Sequence, residues 1–283
     1  MPRVPQDIID SVFYLYKNKE DAEQGNCPGG TGFIIACPLN DDVIPVAWAY
    51  YGITNWHVAC RDGFSVVRIN TISGGTDILE FGPEDWNFIA RGPDLAVVPL
   101  NLNRDIYTRS CVRSHLFISK SELREIGVGD DVFMLGLFVD HGGTTTNIPK
   151  ARFGNVSMLP SSGATIEQPT KYDGESFILD MHSRAGYSGS PVFIYRTPLG
   201  DLSGSFPSIR GTVNVREIQN QFSRGSTAHE VDVEIRLRTS VFKLLGVHWA
   251  QFPEQWEIQN PELLSESDKS QLEPISKLLK QYA

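Results

Sequence analysis

The hydrophobic residues of this chain fall into short runs that are separated by Gly, Pro, Asn and Asp. Runs at 30–37, 64–70, 131–138 and 191–195 contain mainly Val, Ile, Phe and other apolar residues, many of which pack well on a pleated sheet. A helical period of 3.6 residues is missing from most of the sequence. The pattern predicts an all-β protein, and the number of runs suits a sandwich or a barrel.

One helix is predicted in the middle of the chain. Ser119 and Glu122 have the S-x-x-E spacing of a capping box, and Gly127 offers a stop. These signals predict a short helix over 119–127. It separates two strand-rich halves, so we expect it to connect two β-barrels.

A second helix is predicted at the C-terminal end. Asn260 can cap it, and Pro261 suits the first helical position. Apolar residues then recur at spacings of three and four, at Leu272, Ile275, Leu279 and Tyr282. We expect residues 259–283 to form a helical extension that packs on the rest of the chain, with docking on a partner as the alternative.

Residues 196–230 interrupt the strand pattern. Many of them are Gly, Pro or polar, which predicts a long loop inserted into the domain. From Val231 onward, apolar and charged residues alternate as far as Arg238, which predicts a strand with one face in water.

Length and charge exclude some classes of function. The chain has 283 residues, and 25 basic against 34 acidic residues give a net charge of −9. This balance argues against nonspecific binding of nucleic acid or of anionic membranes, which needs cationic surface. No apolar run approaches the roughly 18 residues of a membrane helix, and residues 1–13 lack the apolar core of a signal peptide. We therefore expect a cytoplasmic protein with neither a nucleic acid nor a membrane as partner.

The cysteines and histidines show no metal motif. Cys27, Cys37, Cys60 and Cys111 are scattered, and the sequence contains neither CxxC nor HExxH. We expect free thiols and no metal or organic cofactor. A disulfide from Cys60 across its own hairpin is the alternative.

Three segments carry residue types that could perform acyl transfer. His57 follows a strand, Asp94 precedes one, and Ser188 lies in a Gly-flanked turn before another. A serine hydroxyl needs a base to take its proton, a histidine can take it, and an aspartate can orient that histidine. The backbone N–H groups of Gly186 and Ser188 could stabilise the oxyanion that forms.

These segments resemble those of the chymotrypsin-like serine peptidases, most closely their bacterial HtrA-like and glutamyl-endopeptidase-like branches. The matching segments follow the order of the family: GTGFIIAC with ITNWHVA, DLAVVPL, GDDVFMLGLF, ARFGNVSM, GYSGSPVF and LLGVHWA. The resemblance implies a serine endopeptidase that acts on peptides or proteins with the triad His57, Asp94 and Ser188.

The resemblance also implies a fold of two six-stranded antiparallel barrels with the site in the cleft between them. The peptidase domain would span 1–258, with barrels at about 8–115 and 128–258. The sequence contains no internal Ile-Val-Gly-Gly-like start, so the resemblance does not imply trypsin-type activation through a freed N-terminus. An insertion at about 196–240 lengthens the second barrel. We expect this insertion to cover the cleft or distort the oxyanion turn until an activating protein partner binds.

Substrate preference follows from the same resemblance. His248 would line the S1 pocket, His182 would lie near its floor, and Arg184 would lie on its wall. Such donors would favour Glu, Asp or Gln at P1, because a buried donor without a partner costs about 1–3 kcal/mol.

Two other functions fit parts of the sequence. GYSGS resembles the G-x-S-x-G elbow of α/β-hydrolases, although Ser190 replaces the last glycine and the strand–helix alternation of those enzymes is missing. A peptidase fold can also serve as a binding or regulatory module with little activity.

Overall fold

The structure is a computed structural model, and it divides the chain into two compact units, Met1–Trp249 and Ala250–Ala283. All helices and strands given below belong to the first unit. For 212–218 and 228–234 only the backbone is described. The described residues are 3–39, 47–103, 105–107, 110–138, 143–181, 186–196, 212–218, 228–234 and 242–251.

The first sheet is built from the N-terminal half of the chain. Its strands run in the order β5-β4-β1-β2-β3-β7-β6 and are antiparallel, while β8 lies parallel to β2. The strands are β1 (Val12–Tyr16), β2 (Gly30–Pro38), β3 (Trp48–Thr54), β4 (Val66–Asn70), β5 (Thr76–Leu79), β6 (Asn87–Phe88), β7 (Ala96–Leu100) and β8 (Val112–Arg113).

The second sheet follows in the C-terminal half and is antiparallel, in the order β13-β10-β9-β14-β17. Two separate antiparallel pairs, β11 with β12 and β15 with β16, lie outside this order. The strands are β9 (Asp131–Gly136), β10 (Lys150–Met158), β11 (Ile166–Glu167), β12 (Asp173–Gly174), β13 (Ile178–Asp180), β14 (Pro191–Ile194), β15 (Thr212–Ile218), β16 (Ala228–Glu234) and β17 (Lys243–Val247).

Helices are few and short in the described residues. A π-helical turn covers His57–Arg61, and 3₁₀ turns cover Pro83–Asp85 and Ser114–Leu116. The α-helices are α1 (Gln6–Ile9), α2 (Lys19–Gln24) and α3 (Lys120–Leu123). No helix within the described part of the chain has the length and hydrophobicity needed to cross a membrane.

The capping box predicted for the connecting helix is formed at α3. The Ser119 hydroxyl accepts from the Glu122 N–H at 3.2 Å, and the Glu122 carboxylate accepts from the Ser119 N–H at 2.9 Å. The bond from the Ser119 N–H, with smaller contributions from the Ser119 side chain and Lys243, lowers the pKa of the Glu122 carboxyl group to about 2. The helix ends at Leu123, before the predicted stop at Gly127, with Arg124 as its C-cap.

Successive side chains of each strand point to opposite faces of the sheet, and the apolar ones form three clusters around the two sheets. Phe13 and Leu15 of β1 pack in a cluster within the first sheet, and Val132 and Met134 of β9 pack in one within the second. The third cluster joins the sheets, since it combines residues of β1 with residues of β9 and β14; its members include Val12, Tyr14, Tyr16, Phe133, Leu135 and Phe193. Each sheet therefore has its own core, and a shared core holds them together.

The all-β class is confirmed: the described residues form antiparallel sheets with few short helices, consistent with the chymotrypsin-like double-barrel fold. The prediction of a long loop at 196–230 was wrong in part, since β15 lies there and pairs with β16 as an antiparallel ribbon. The strand predicted from Val231 is confirmed as β16, which begins at Ala228. The apolar positions of β15 are only Val213, Val215 and Ile218. The Gly and Pro residues around them hid this short strand pattern in the sequence. The predicted C-terminal helix at 259–283 lies outside the described residues.

Candidate active site

The candidate base, His57, begins the π-helical turn three residues after the end of β3. The strand stops at Thr54, and the chain then turns through Asn55 and Trp56. Single π-helical turns occur often at functional sites, where they change the direction in which a side chain points. Only 12% of the His57 side-chain surface is exposed. Neighbouring residues therefore restrict the ring, while part of it remains accessible to solvent.

His57 and Asp94 are joined by two hydrogen bonds. The distance from His57 Nδ1 to Asp94 Oδ2 is 2.5 Å, and the His57 N–H donates to Asp94 Oδ1 at 2.9 Å. The Asp94 side chain is fully buried. Because a carboxylate can only accept, Nδ1 carries the proton and Nε2 keeps its lone pair.

Two residues that the sequence reasoning missed hold the backbone of Asp94. Its N–H donates to Gln168 Oε1 at 2.7 Å, and its carbonyl accepts from Asn55 Nδ2 at 2.8 Å. Both partners are buried. Asn55 lies two residues before His57 and could have been suspected from that spacing, whereas Gln168 has no sequence signal at all.

Gln168 lies in the tight connection between β11 and β12. Its N–H donates to the Tyr172 carbonyl, and Lys171 has a positive φ of 62°. The Thr170 hydroxyl donates to the Gly92 carbonyl at 2.6 Å, just before Asp94. The hairpin of β11 and β12, in the second half of the chain, is thus hydrogen-bonded to the loop that contains Asp94.

The candidate nucleophile, Ser188, lies in a turn that leads into β14. The Ser190 N–H donates to the Tyr187 carbonyl at 2.9 Å, and Gly186 and Gly189 have φ values of 95° and 87°. A Cβ on Gly189 would lie 1.9 Å from the Thr31 carbonyl oxygen. Only glycine fits there, because both the conformation and the space exclude a side chain.

Ser188 and the segment of His57 face the same part of β2. The Thr31 N–H donates to the Ser188 carbonyl at 2.9 Å. A Cβ on Gly30 would lie 2.7 Å from Val58 Cγ1 and 3.3 Å from the Ser188 carbonyl oxygen. The backbone of Ser188 and the residue after His57 therefore flank one glycine. Both Ser188 and His57 are described, and no hydrogen bond joins their side chains.

The candidate oxyanion donors are also in the turn. In the described residues, the N–H groups of Gly186 and Ser188 donate to no other group of the protein. Tyr187 between them is fully buried, and its hydroxyl accepts from Arg152 Nε at 3.3 Å.

His248 is the S1 candidate that the structure describes. Its N–H donates to the Ser190 carbonyl and its carbonyl accepts from the Gly189 N–H, both at 2.9 Å. The residue therefore lies beside the turn of Ser188. Burial lowers the pKa of His248 to about 4, and the charge of His57 contributes in the same direction. The other two candidates, His182 and Arg184, lie outside the described residues.

All four cysteines are free thiols, so the alternative disulfide from Cys60 is not formed. Cys60 lies in the π-helical turn with His57, and burial, with a smaller contribution from the Asp94 charge, raises its pKa to about 11. Among the described residues, no group of three or more His, Cys, Asp or Glu side chains is arranged to hold a metal ion.

Comparison with known proteins gives little beyond this geometry. No protein-family model matches the chain, and no curated protein matches it. It is similar to the crystal structure of Rv3671c from M. tuberculosis H37Rv, a serine-to-alanine mutant in an inactive form, with 16% sequence identity and a TM-score of 0.36. The match covers 66% of this chain and 73% of that chain. A similarity of this extent carries no functional argument, so function has to be inferred from the chain's own residues.

Proposed function

We propose that the protein is a serine endopeptidase that hydrolyses peptide bonds in protein or peptide substrates. Ser188 is the nucleophile, His57 the general base and then acid, and Asp94 the residue that orients His57. The observation that carries the proposal is the contact of 2.5 Å between His57 Nδ1 and the fully buried Asp94 carboxylate.

The buried carboxylate supports this role because both of its oxygens accept from one residue. Oδ1 accepts from the His57 main chain and Oδ2 from its ring. The bonds hold the ring in one orientation and keep the proton on Nδ1, so Nε2 is the nitrogen that can accept. When Nε2 takes a proton, the imidazolium that forms lies beside a negative charge, which stabilises it.

The proposed reaction has two halves. Nε2 of His57 takes the proton of the Ser188 hydroxyl as Oγ attacks the substrate carbonyl carbon. The Gly186 and Ser188 N–H groups stabilise the oxyanion. The intermediate then collapses, His57 returns the proton to the leaving amine, and an acyl-enzyme remains. A water molecule, deprotonated by His57, hydrolyses the acyl-enzyme and restores Ser188.

The contact between Ser188 and His57 is expected to form on substrate binding. Such bonds are often long or misaligned in sites without substrate. The backbone of Ser188 is held by the bond from Thr31, so we expect the contact to form through a change of the Ser188 rotamer.

Substrate preference is proposed to depend on His248, together with His182 and Arg184. With a pKa of about 4, the His248 ring is neutral at pH 7. A neutral imidazole donates a hydrogen bond to the side-chain oxygen of Glu, Asp or Gln without forming an ion pair. We therefore expect His248 to accept Gln at P1 as readily as Glu.

A binding or regulatory module with the same fold is the second candidate. The absence of a hydrogen bond between the described Ser188 and His57 side chains favours it. Control by the 196–240 segment, or by an activating protein partner, would give a latent enzyme with the same appearance. The α/β-hydrolase alternative is not supported, because the main strands of the described sheets are antiparallel while that fold needs a parallel sheet.

Labelling with a fluorophosphonate probe tests the proposal, because the probe bonds only to an activated serine. We expect wild-type protein to be labelled at Ser188 and Ser188→Ala not to be labelled. Ser190→Ala is the matched control in the same turn and should still react. A wild-type protein that neither reacts with the probe nor cleaves peptides would favour the binding module or a latent enzyme.

A further inference from the structure

Thr31 makes four hydrogen bonds from a fully buried position on β2. Its N–H donates to the Ser188 carbonyl at 2.9 Å, and its hydroxyl donates to the Gly186 carbonyl at 2.7 Å. The hydroxyl oxygen also accepts from the Leu137 N–H at 2.9 Å, and the carbonyl accepts from the Thr54 hydroxyl at 2.7 Å. Every hydrogen-bonding group of Thr31 is therefore used.

Two of these bonds hold the turn of the nucleophile at both ends. The bond to the Gly186 carbonyl fixes the peptide unit after Gly186, and the bond to the Ser188 carbonyl fixes the peptide unit after Ser188. The peptide unit between them carries the Ser188 N–H, and its orientation follows from its neighbours. Gly186 has a φ of 95° and no side chain to restrict it, so the bond to Thr31 replaces a constraint that glycine lacks.

The other two bonds connect the turn to both sheets. Thr54 is the last residue of β3, three residues before His57, and its hydroxyl binds the Thr31 carbonyl. Leu137 directly follows β9 of the second sheet. Gly189 packs against the Thr31 carbonyl so closely that a Cβ would overlap it. Thr31 thus fixes the positions of the His57 segment, the Ser188 turn and the second sheet relative to one another.

We propose that Thr31 is a positioning residue whose hydroxyl holds the Gly186 carbonyl, so that the Ser188 N–H, one of the two oxyanion donors, is oriented before substrate arrives. The inference rests on the proposed peptidase function. Thr31 does not touch the reacting atoms; it acts through the peptide units of Gly186 and Ser188. Donors that are already oriented cost no reorganisation during the reaction.

The test compares Thr31→Val with Thr31→Ser. Valine keeps the shape of threonine and the backbone bond to Ser188, but it removes the hydroxyl that holds Gly186. Removing an oxyanion donor itself costs about 100–1,000-fold in kcat, so we expect a loss on the order of tenfold or more for loosening one. Serine keeps the hydroxyl, and we expect Thr31→Ser to stay within about threefold of wild type.

The readouts are the second-order rate of labelling by the fluorophosphonate probe and the kcat and KM for a peptide substrate. A positioning role lowers the labelling rate and kcat of Thr31→Val while KM stays unchanged, and serine restores both. Circular dichroism and a thermal melt show whether each variant is folded at the assay temperature. If Thr31→Val does not fold, Thr31→Ala, which also lacks the hydroxyl but is smaller, takes its place.

A folded Thr31→Val that reacts at the wild-type rate overturns the inference, and so does a folded Thr31→Ser that is as slow as Thr31→Val. In both cases the labelling of wild type and its loss in Ser188→Ala leave the proposed function intact. A wild type that does not react removes the proposed function, and the role of Thr31 with it.

Discussion

The main-chain N–H of Asp94 donates to the side-chain oxygen of Gln168, which lies 74 residues further along the chain, at 2.7 Å. The two residues belong to different halves of the protein. Asp94 precedes β7 of the first sheet, and Gln168 lies in the connection between β11 and β12, a separate strand pair of the C-terminal half. The position of the acid therefore depends on how both halves pack.

Gln168→Met, which keeps the length of the side chain but removes the acceptor, should lower both stability and activity. The Asp94 N–H would remain buried without a partner, which costs about 1–3 kcal/mol of unfolding free energy. Urea unfolding measures that loss, and probe labelling measures the loss of activity. A variant that unfolds and reacts like wild type would show that Gln168 is not needed to position Asp94.

If the proposed triad operates, Asp94→Asn should lower the labelling rate at Ser188 by about four orders of magnitude, the loss of kcat that the same change causes in a known Ser-His-Asp triad. The asparagine side chain fills the same space, but its NH₂ can donate to Nδ1, so the ring would present a proton at Nε2 where it has to accept one. A thermal melt at the wild-type midpoint would serve as the folding control. Retention of more than a tenth of the wild-type rate would remove Asp94 from the proposed triad.

His248 should make stability depend on pH between about 4 and 6.5. Burial lowers the pKa of His248 to about 4 in the folded protein, against an ordinary value near 6.5 in the unfolded chain. Between these values the unfolded state binds more protons, by about one. The stability that a neutral His248 contributes is thus complete above about pH 6.5 and is lost as the pH falls towards 4.

Urea unfolding of wild type and His248→Gln over this pH range measures the effect. The unfolding free energy of wild type should decrease more steeply on acidification than that of the variant. Parallel curves would show that His248 is not the group responsible.

His248 should also influence which side chain the enzyme accepts at P1. A library of peptides should show preference for Glu, Asp or Gln at P1. His248→Ala should reduce kcat/KM for these substrates by on the order of tenfold, the value of one hydrogen bond to a buried group, and affect an apolar P1 much less. Dominant cleavage after Lys, Arg or large apolar residues would contradict the S1 proposal.

The sequence predicted those features that depend on neighbouring residues. Ser119 and Glu122 lie three residues apart, so their capping box could be recognised directly. His57, Asp94 and Ser188 each lie in a short segment with its own signal, namely a strand end, a strand start and a Gly-flanked turn. The all-β class followed in the same way from local runs of apolar residues.

The supporting residues could not be predicted, because their contacts join distant parts of the chain. Thr31 and Gly186 are 155 residues apart, and Gln168 is 74 residues from Asp94. In each case the bond joins segments that only the packing of the folded chain brings together. The π-helical turn at His57 was also missed, since the neighbouring strand β3 dominated the local pattern.

The central claim is that His57 lies between Asp94 and Ser188 when a substrate or inhibitor occupies the site. A crystal structure of the protein after reaction with a fluorophosphonate tests it most directly. The account predicts a covalent bond from Ser188 Oγ to phosphorus, with Nε2 of His57 within hydrogen-bond distance of Oγ. The phosphoryl oxygen should accept from the N–H groups of Gly186 and Ser188. A His57 ring that lies out of reach of Ser188 or Asp94, or phosphorus bonded to a different residue, would contradict it.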